Sequence, residues 1–307
     1  EVTTFAGTGT SGSADGTGIS ASFKMPDGLT SDGTNLYVAD ADNNRVRKVV
    51  ISTGEVTILA GTQGGSPIDA AGTAARFKVP SAITSDGTSL YVTDRSNHMI
   101  RKIVISTGAV TTIAGTVHSS ENSAYGLVNG EGNSAKFYYP SGITIDGNNL
   151  YVADSNNHMI RKIVISTKVV STFAGSGTSG FTNGTGTAAK FSAPAGIISD
   201  GTNLYVADTN NNKIRKIVIS TGLVTTLAGS GTTGSADGTG ISASFAKPRG
   251  MTIVAGNLYV VDTNNHNIRK IVISTGVVTT LSGSGTTGSA DGTGTSASFQ
   301  KPYGITS

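Results

Sequence analysis

One segment, NLYVAD at Asn35–Asp40, returns four more times along the chain, as SLYVTD, NLYVAD, NLYVAD and NLYVVD. Its tyrosines, Tyr37, Tyr91, Tyr151, Tyr205 and Tyr259, are spaced by 54, 60, 54 and 54 residues. A proline keeps the same rhythm at Pro26, Pro80, Pro140, Pro194, Pro248 and Pro302. Such a period means that each unit is a supersecondary motif, burying its apolar face only against copies of itself. The one irregularity lengthens the third repeat between Gly115 and Pro140, in a stretch rich in Ser, Asn and Gly, and reads as a loop insertion.

Four strands can be read inside each unit. After the proline, GLTSDG (Gly28–Gly33) is a short strand ending in an Asp-Gly turn. NLYVAD alternates apolar and polar residues and is rich in β-formers. Asp42–Asn44 is a second turn, RVRKVVIST (Arg45–Thr53) a longer strand, Thr53-Gly54 a third turn, and EVTILAG (Glu55–Gly61) a fourth strand. A Gly/Ser/Thr linker then leads to the next proline. No segment carries the 3.6-residue period of a helix longer than two turns. The predicted fold is all-β: a β-propeller of four-stranded antiparallel blades, five complete, with the two end strands of a sixth. Residues 1–307 read as one propeller, whose sixth blade is formed from residues 1–7 and 300–307 and lacks about 23 residues of its middle strands. Further domains of a longer chain, or head-to-tail neighbours, are expected at that open blade.

The run PDGLTSDGTNLYVADADNNRVRKVVISTGEVTILAG resembles a blade of the NHL-repeat family, and the pattern covers essentially the whole chain. The linker AG-x-G-x-x-G…DG-x-G-x-x-A-x-F, as in Ala6–Phe23, is similar to one subgroup of these repeats. The resemblance implies a propeller, usually of six blades. It also implies three possible uses: a binding scaffold, a basic face for RNA as in some members, or a metal-dependent lyase or lactonase site at a channel mouth, as in related six-bladed propellers. Fold alone does not choose among them.

Composition narrows the choice. There is no cysteine, which excludes disulfides, thiolate nucleophiles and cysteine-ligated metals. Only 13% of residues are charged and the net charge is +3, a weak footprint for nucleic acid. No run of 18 apolar residues exists to span a membrane as a helix. The motif G-x-G-x-x-G occurs at Gly7, Gly175, Gly229 and Gly283, but a dinucleotide site needs one such loop between a strand and a helix. Four copies without a helix are linker chemistry, so no cofactor is expected.

Asp40, Asp94, Asp154, Asp208 and Asp262 end the second strands, and Arg47, Arg101, Arg161, Arg215 and Arg269 stand in register on the third. Five equal pairs read as structural ion pairs, since an enzyme needs one site. His98, His158 and His266 recur at one blade position, read as level with Arg45 and Lys213, which marks a solvated face and not metal ligation. Each arginine is followed by a lysine, but alternation puts the two on opposite faces, so only half could join a basic surface.

Function is then expected where repeats differ. The residue after each proline varies most: Asp27, Ser81, Ser141, Ala195, Arg249 and Tyr303. Its place on the innermost strand predicts a ring at one channel mouth, with Asp27, Arg249 and Tyr303 forming a polar-aromatic corner. The insertion, with His118, Tyr125 and the following Tyr138 and Tyr139, is the second departure and a candidate contact patch. These features predict a non-catalytic, extracellular or periplasmic module of bacterial type that presents its faces and Ser/Thr/Gly-rich loops to a protein or glycan. The alternatives are the metal-dependent enzyme, for which only Asp27 qualifies as a channel ligand, and the RNA binder.

Overall fold

The computed structural model describes residues 1–116 and 126–307. Among these residues there is no α-helix, only three-residue 3-10 turns between strands, and five antiparallel sheets carry the five complete repeats. The first repeat supplies Pro26–Ser31, Asn35–Asp40, Arg45–Val50 and Glu55–Ala60. The second supplies Pro80–Ser85, Ser89–Asp94, Met99–Val104 and Val110–Ala114. The third supplies Pro140–Asp146, Asn149–Asp154, Met159–Val164 and Val169–Ala174. The fourth is Pro194–Ser199, Asn203–Asp208, Lys213–Val218 and Leu223–Ala228. The fifth is Pro248–Val254, Asn257–Asp262, Asn267–Val272 and Val277–Ser282.

Two compact units divide the chain: residues 4–152 with 162–171, and residues 1–3 with 153–161 and 172–307. In the first, Tyr37, Ala39, Val46 and Ala60 of one blade pack against Phe77, Ile83, Leu90 and Val92 of the next. The pattern repeats where Tyr91, Ile100 and Ala114 meet Phe137, Leu150 and Val152. In the second unit, Tyr205, Ala207 and Ile214 meet Phe245, Met251, Leu258 and Val260. Strands such as Ser89–Asp94 are buried on both faces because a sheet stands on each side, and their polar members Tyr91 and Asp94 are hydrogen-bonded to Asp86 and Arg101.

Four of the five sheets gain a strand that the sequence reading leaves in the linker. Gly16–Thr17, Gly130–Glu131, Gly184–Thr185 and Gly238–Thr239 each pair with the fourth strand of the blade that follows them, as in Gly16 opposite Val56. These glycines adopt φ of 153° to 157°, an extended backbone that side chains disfavour. Ala70 stands at this place in the second repeat, and that sheet stays four-stranded, with a single bridge between Ala71 and Ala109.

Residues 1–7 and 300–307, expected to supply the two end strands of an incomplete sixth blade, belong to none of the five sheets. Residues 300–307 contain no strand, and Val2 makes one bridge, exchanging backbone hydrogen bonds with Gly292 at 2.7 and 3.0 Å. An outermost and an innermost strand lie too far apart to pair, since neighbours must sit about 4.8 Å apart. Residues 302 and 303 instead dock on the fifth blade: the Gly250 N–H donates to the Tyr303 carbonyl at 3.0 Å, and Thr263 Oγ1 to the Pro302 carbonyl at 2.9 Å.

Candidate functional site

The repeated arginines are fully buried, each at the centre of a fixed set of acceptors. Arg101 Nη1 donates to Asp94 Oδ2 at 2.8 Å and to the Arg76 carbonyl at 2.9 Å; its Nη2 reaches Asp69 Oδ1 at 2.7 Å and the Ile68 carbonyl at 2.8 Å. Its guanidinium lies 5.1 Å from the centre of the Phe77 ring. The same aspartate contact is 3.0 Å at Arg47, 2.9 Å at Arg161, 2.8 Å at Arg215 and 3.0 Å at Arg269. The second acidic partner is Asp15 for Arg47 and Asp237 for Arg269, while Arg215 uses the amide oxygen of Asn183. The aspartates are equally committed: Asp94 Oδ1 accepts the Lys78 N–H at 2.8 Å and its Oδ2 the Asn97 side chain at 2.9 Å. Burial pushes Asp94 above the usual carboxylate range, while Arg101, Asn97 and the Lys78 N–H pull the other way. A carboxylate and a guanidinium held this way stabilise linker against blade and are closed to a substrate.

The sequence reading misses the asparagine three residues after each aspartate. Asn43, Asn157, Asn211 and Asn265 repeat the Asn97 contact at 2.7 to 2.8 Å. The fixed offset was its signal.

The histidines stand level with Asn44 and Asn212, one position earlier than Arg45 and Lys213, and His98 is buried. All five residues take left-handed backbone, φ from 51° to 58°. His98, His158 and His266 use Nδ1 to accept the backbone N–H of Tyr139, Ala193 and Lys301 at 3.0 to 3.1 Å. Asn44 and Asn212 use Oδ1 for the N–H of Val79 and Lys247 at 2.8 and 2.9 Å. The position is therefore an inter-blade clamp, which corrects the reading of it as a solvated face.

A second repeated pair lies at the first turn. The Tyr37 hydroxyl donates to Asp32 Oδ2 at 2.8 Å, Tyr91 to Asp86 at 3.0 Å and Tyr205 to Asp200 at 2.8 Å. Desolvation raises the Asp32 carboxyl, but hydrogen bonds from the Asn35 N–H, the Tyr37 hydroxyl, the Asn35 side chain and the Thr34 N–H outweigh it and hold it at about 2. Burial, then the bond to Asp32 and its charge, push Tyr37 up to about 12.

Where the repeats differ, two groupings stand out. Beside the innermost strands, Ser81 Oγ donates to Asp27 Oδ2 at 2.5 Å in one unit, and in the other the Arg249 guanidinium lies 4.8 Å from the centre of the Tyr303 ring. Ser141 and Ala195 are buried, and the Ser141 carbonyl accepts Thr93 Oγ1 at 2.8 Å. At the insertion, His118 and Tyr125 lie outside the described residues. Tyr138 and Tyr139, both half-buried, have ring centres 5.4 Å apart, with His98 at 5.8 and 4.6 Å from them and Arg95 at 5.4 Å from Tyr139. Ala41, Ser155, Thr209 and Thr263 replace Arg95 elsewhere, so this aromatic-cationic cluster occurs once. Among the described residues no three His, Asp or Glu side chains converge as metal ligands.

Stacked antiparallel blades, with their ionisable side chains spent on their own linkers, define a β-propeller whose repeat is scaffold. The NHL repeat family model matches residues 137–163 and 245–271, in the third and fifth repeats, so the repeat of this β-propeller is of the NHL type there. It is 29% identical to the human (Homo sapiens) NHL repeat-containing protein 2 over 88% of this chain and 42% of that one. It is also 29% identical to the Arabidopsis thaliana protein SUPPRESSOR OF QUENCHING 1, chloroplastic, over 87% of this chain and 27% of that one. The chain thus spans less than half the length of these relatives. Among solved structures, a structural genomics protein of unknown function from Bacteroides thetaiotaomicron VPI-5482 matches with a TM-score of 0.74 and 25% identity, over 99% of this chain and 70% of that one.

Proposed function

We propose that the chain is a non-catalytic binding module that presents its non-repeated side chains to a protein or glycan partner in an extracellular or periplasmic setting. The observation that carries this reading is the commitment of every repeat aspartate and arginine to a buried contact within its own repeat. The five arginines are thereby withdrawn from any basic stripe, leaving only half-buried lysines such as Lys48 and Lys102, which argues against RNA. The cluster of Tyr138, Tyr139 and Arg95 supplies what recognition uses: flat amphipathic rings and a cation on rigid strand ends. Low charge and the Ser/Thr/Gly-rich linkers support the placement outside the cytoplasm.

A glycan array and a panel of candidate protein partners, read with the wild type and with the Tyr138→Ala/Tyr139→Ala variant, test this. The reading expects retention by one class of ligand that falls at least about tenfold in the variant, with melting unchanged. Turnover of a lactone or a cyclic peptide ester, abolished by a chelator, contradicts it.

A further inference from the structure

The five repeat arginines donate to two or more acceptors or pair with a buried carboxylate; Arg249 does neither. No hydrogen bond or ion pair engages its guanidinium among the described residues; the guanidinium lies over the face of Tyr303. Its Nε is buried without an acceptor, as in the five repeat arginines, but its terminal nitrogens are not among the buried unpartnered atoms and so keep access to solvent. A half-buried cation that has lost water on one side and gained no anion in return is costly unless something supplies the charge.

The backbone around it is fixed. Arg249 is the second residue of strand Pro248–Val254, and the Gly250 N–H that follows is bonded to the Tyr303 carbonyl at 3.0 Å. On the other side, a Cβ on Gly196 would land on the Arg249 carbonyl oxygen, so glycine there is what lets the two innermost strands approach. The arginine therefore springs from a rigid strand end, stacked on an aromatic ring that orients its planar fork. The equivalent residues are Asp27, Ser81, Ser141 and Ala195, so only this repeat presents a cation here.

We propose that Arg249 and Tyr303 form a binding site for the carboxylate of a small acidic saccharide: the guanidinium takes the carboxylate through both terminal nitrogens, and the half-exposed Tyr303 ring borders the sugar. A planar fork without an acceptor matches a carboxylate in geometry and charge, and the half-exposed aromatic ring beside it offers an apolar surface to the C–H groups of a pyranose. This rests on the binding-module reading above and names a ligand class for a site separate from Tyr138 and Tyr139.

The test is titration calorimetry of the full chain at low ionic strength with sodium glucuronate, with glucose as the neutral sugar and N-acetylglycine as a carboxylate without a ring. Glucuronate is expected to bind, and glucose and N-acetylglycine to bind at least about tenfold more weakly. Arg249→Met should weaken glucuronate by about tenfold or more, with Arg249→Lys intermediate, because lysine keeps the charge and loses the fork. If Arg249→Met does not fold, Arg249→Lys and loss of binding on adding salt carry the test. No glucuronate binding by the wild type, or equal binding by Arg249→Lys and the wild type without salt dependence, overturns the site. N-acetylglycine binding as well as glucuronate overturns the saccharide assignment. Loss of this site with capture through Tyr138 and Tyr139 intact leaves the binding-module reading standing.

Discussion

His98 accepts the backbone N–H of Tyr139 through Nδ1 at 3.1 Å, and so ties the turn of one blade to the start of the next. The ring is then neutral, with its proton on Nε2. Asn44 makes the same tie to Val79 through Oδ1 at 2.8 Å. Imidazole Nδ1 and amide Oδ1 sit at similar reach from Cα, and asparagine tolerates left-handed backbone well. His98→Asn should therefore change stability by less than about 0.5 kcal/mol, whereas His98→Leu, which strands the Tyr139 N–H, should cost about 1–3 kcal/mol. Urea unfolding of both variants checks this, and equal effects would contradict the clamp.

Lys168 occupies the third turn of its repeat with φ 58°, where Gly54, Gly108, Gly222 and Gly276 stand in the others at 66° to 72°. A lysine there pays the left-handed penalty that glycine avoids, while its N–H still reaches the Val164 carbonyl at 2.7 Å. Lys168→Gly should raise stability by about 0.5–1 kcal/mol, seen as a higher denaturation midpoint with an unchanged slope. A lower midpoint would show that the lysine side chain contributes more than its backbone costs.

Asp32 is held at about 2, below the unfolded value near 3.9, so the folded state gains from its ionised form. That gain is present above about pH 4 and is lost as pH falls through about 2. Asp86 and Asp200 shift in the same direction, while the fifth repeat has Val254 at this place and contributes nothing. The stability difference between wild type and Asp32→Asn should be largest at pH 5 and shrink toward pH 2. A difference that stays constant over this range would remove Asp32 from the account.

Much of the blade was legible because strand periodicity, turn residues and a repeated register reinforce one another over five copies. Asp40 and Arg47 could be paired as diagonal neighbours on one face, since Asp40 opposes Arg45 and Arg47 lies two residues further along that strand. Long-range partners were not legible: Asp15 reaches Arg47 from a Gly-rich linker 32 residues earlier, and the Asp-Gly motif that contains it does not reveal its partner. The clamp at His98 was misread because one position of slip moves a residue from a left-handed turn to the first position of a strand. The added outer strands were missed because they rest on the unusual φ of single glycines such as Gly16, which a Gly-rich linker conceals.

The central claim is that the repeated ion pairs hold the fold and do not serve a ligand, and a double-mutant cycle on Asp94 and Arg101 tests it most directly. Both side chains are fully buried and 2.8 Å apart. Asp94→Leu and Arg101→Met should each cost about 3–5 kcal/mol, because each strips a buried charge of its buried partner. The double variant should cost clearly less than their sum, with a coupling of about 1.5 kcal/mol or more. Additive effects, or single variants that melt as the wild type does, would contradict the account.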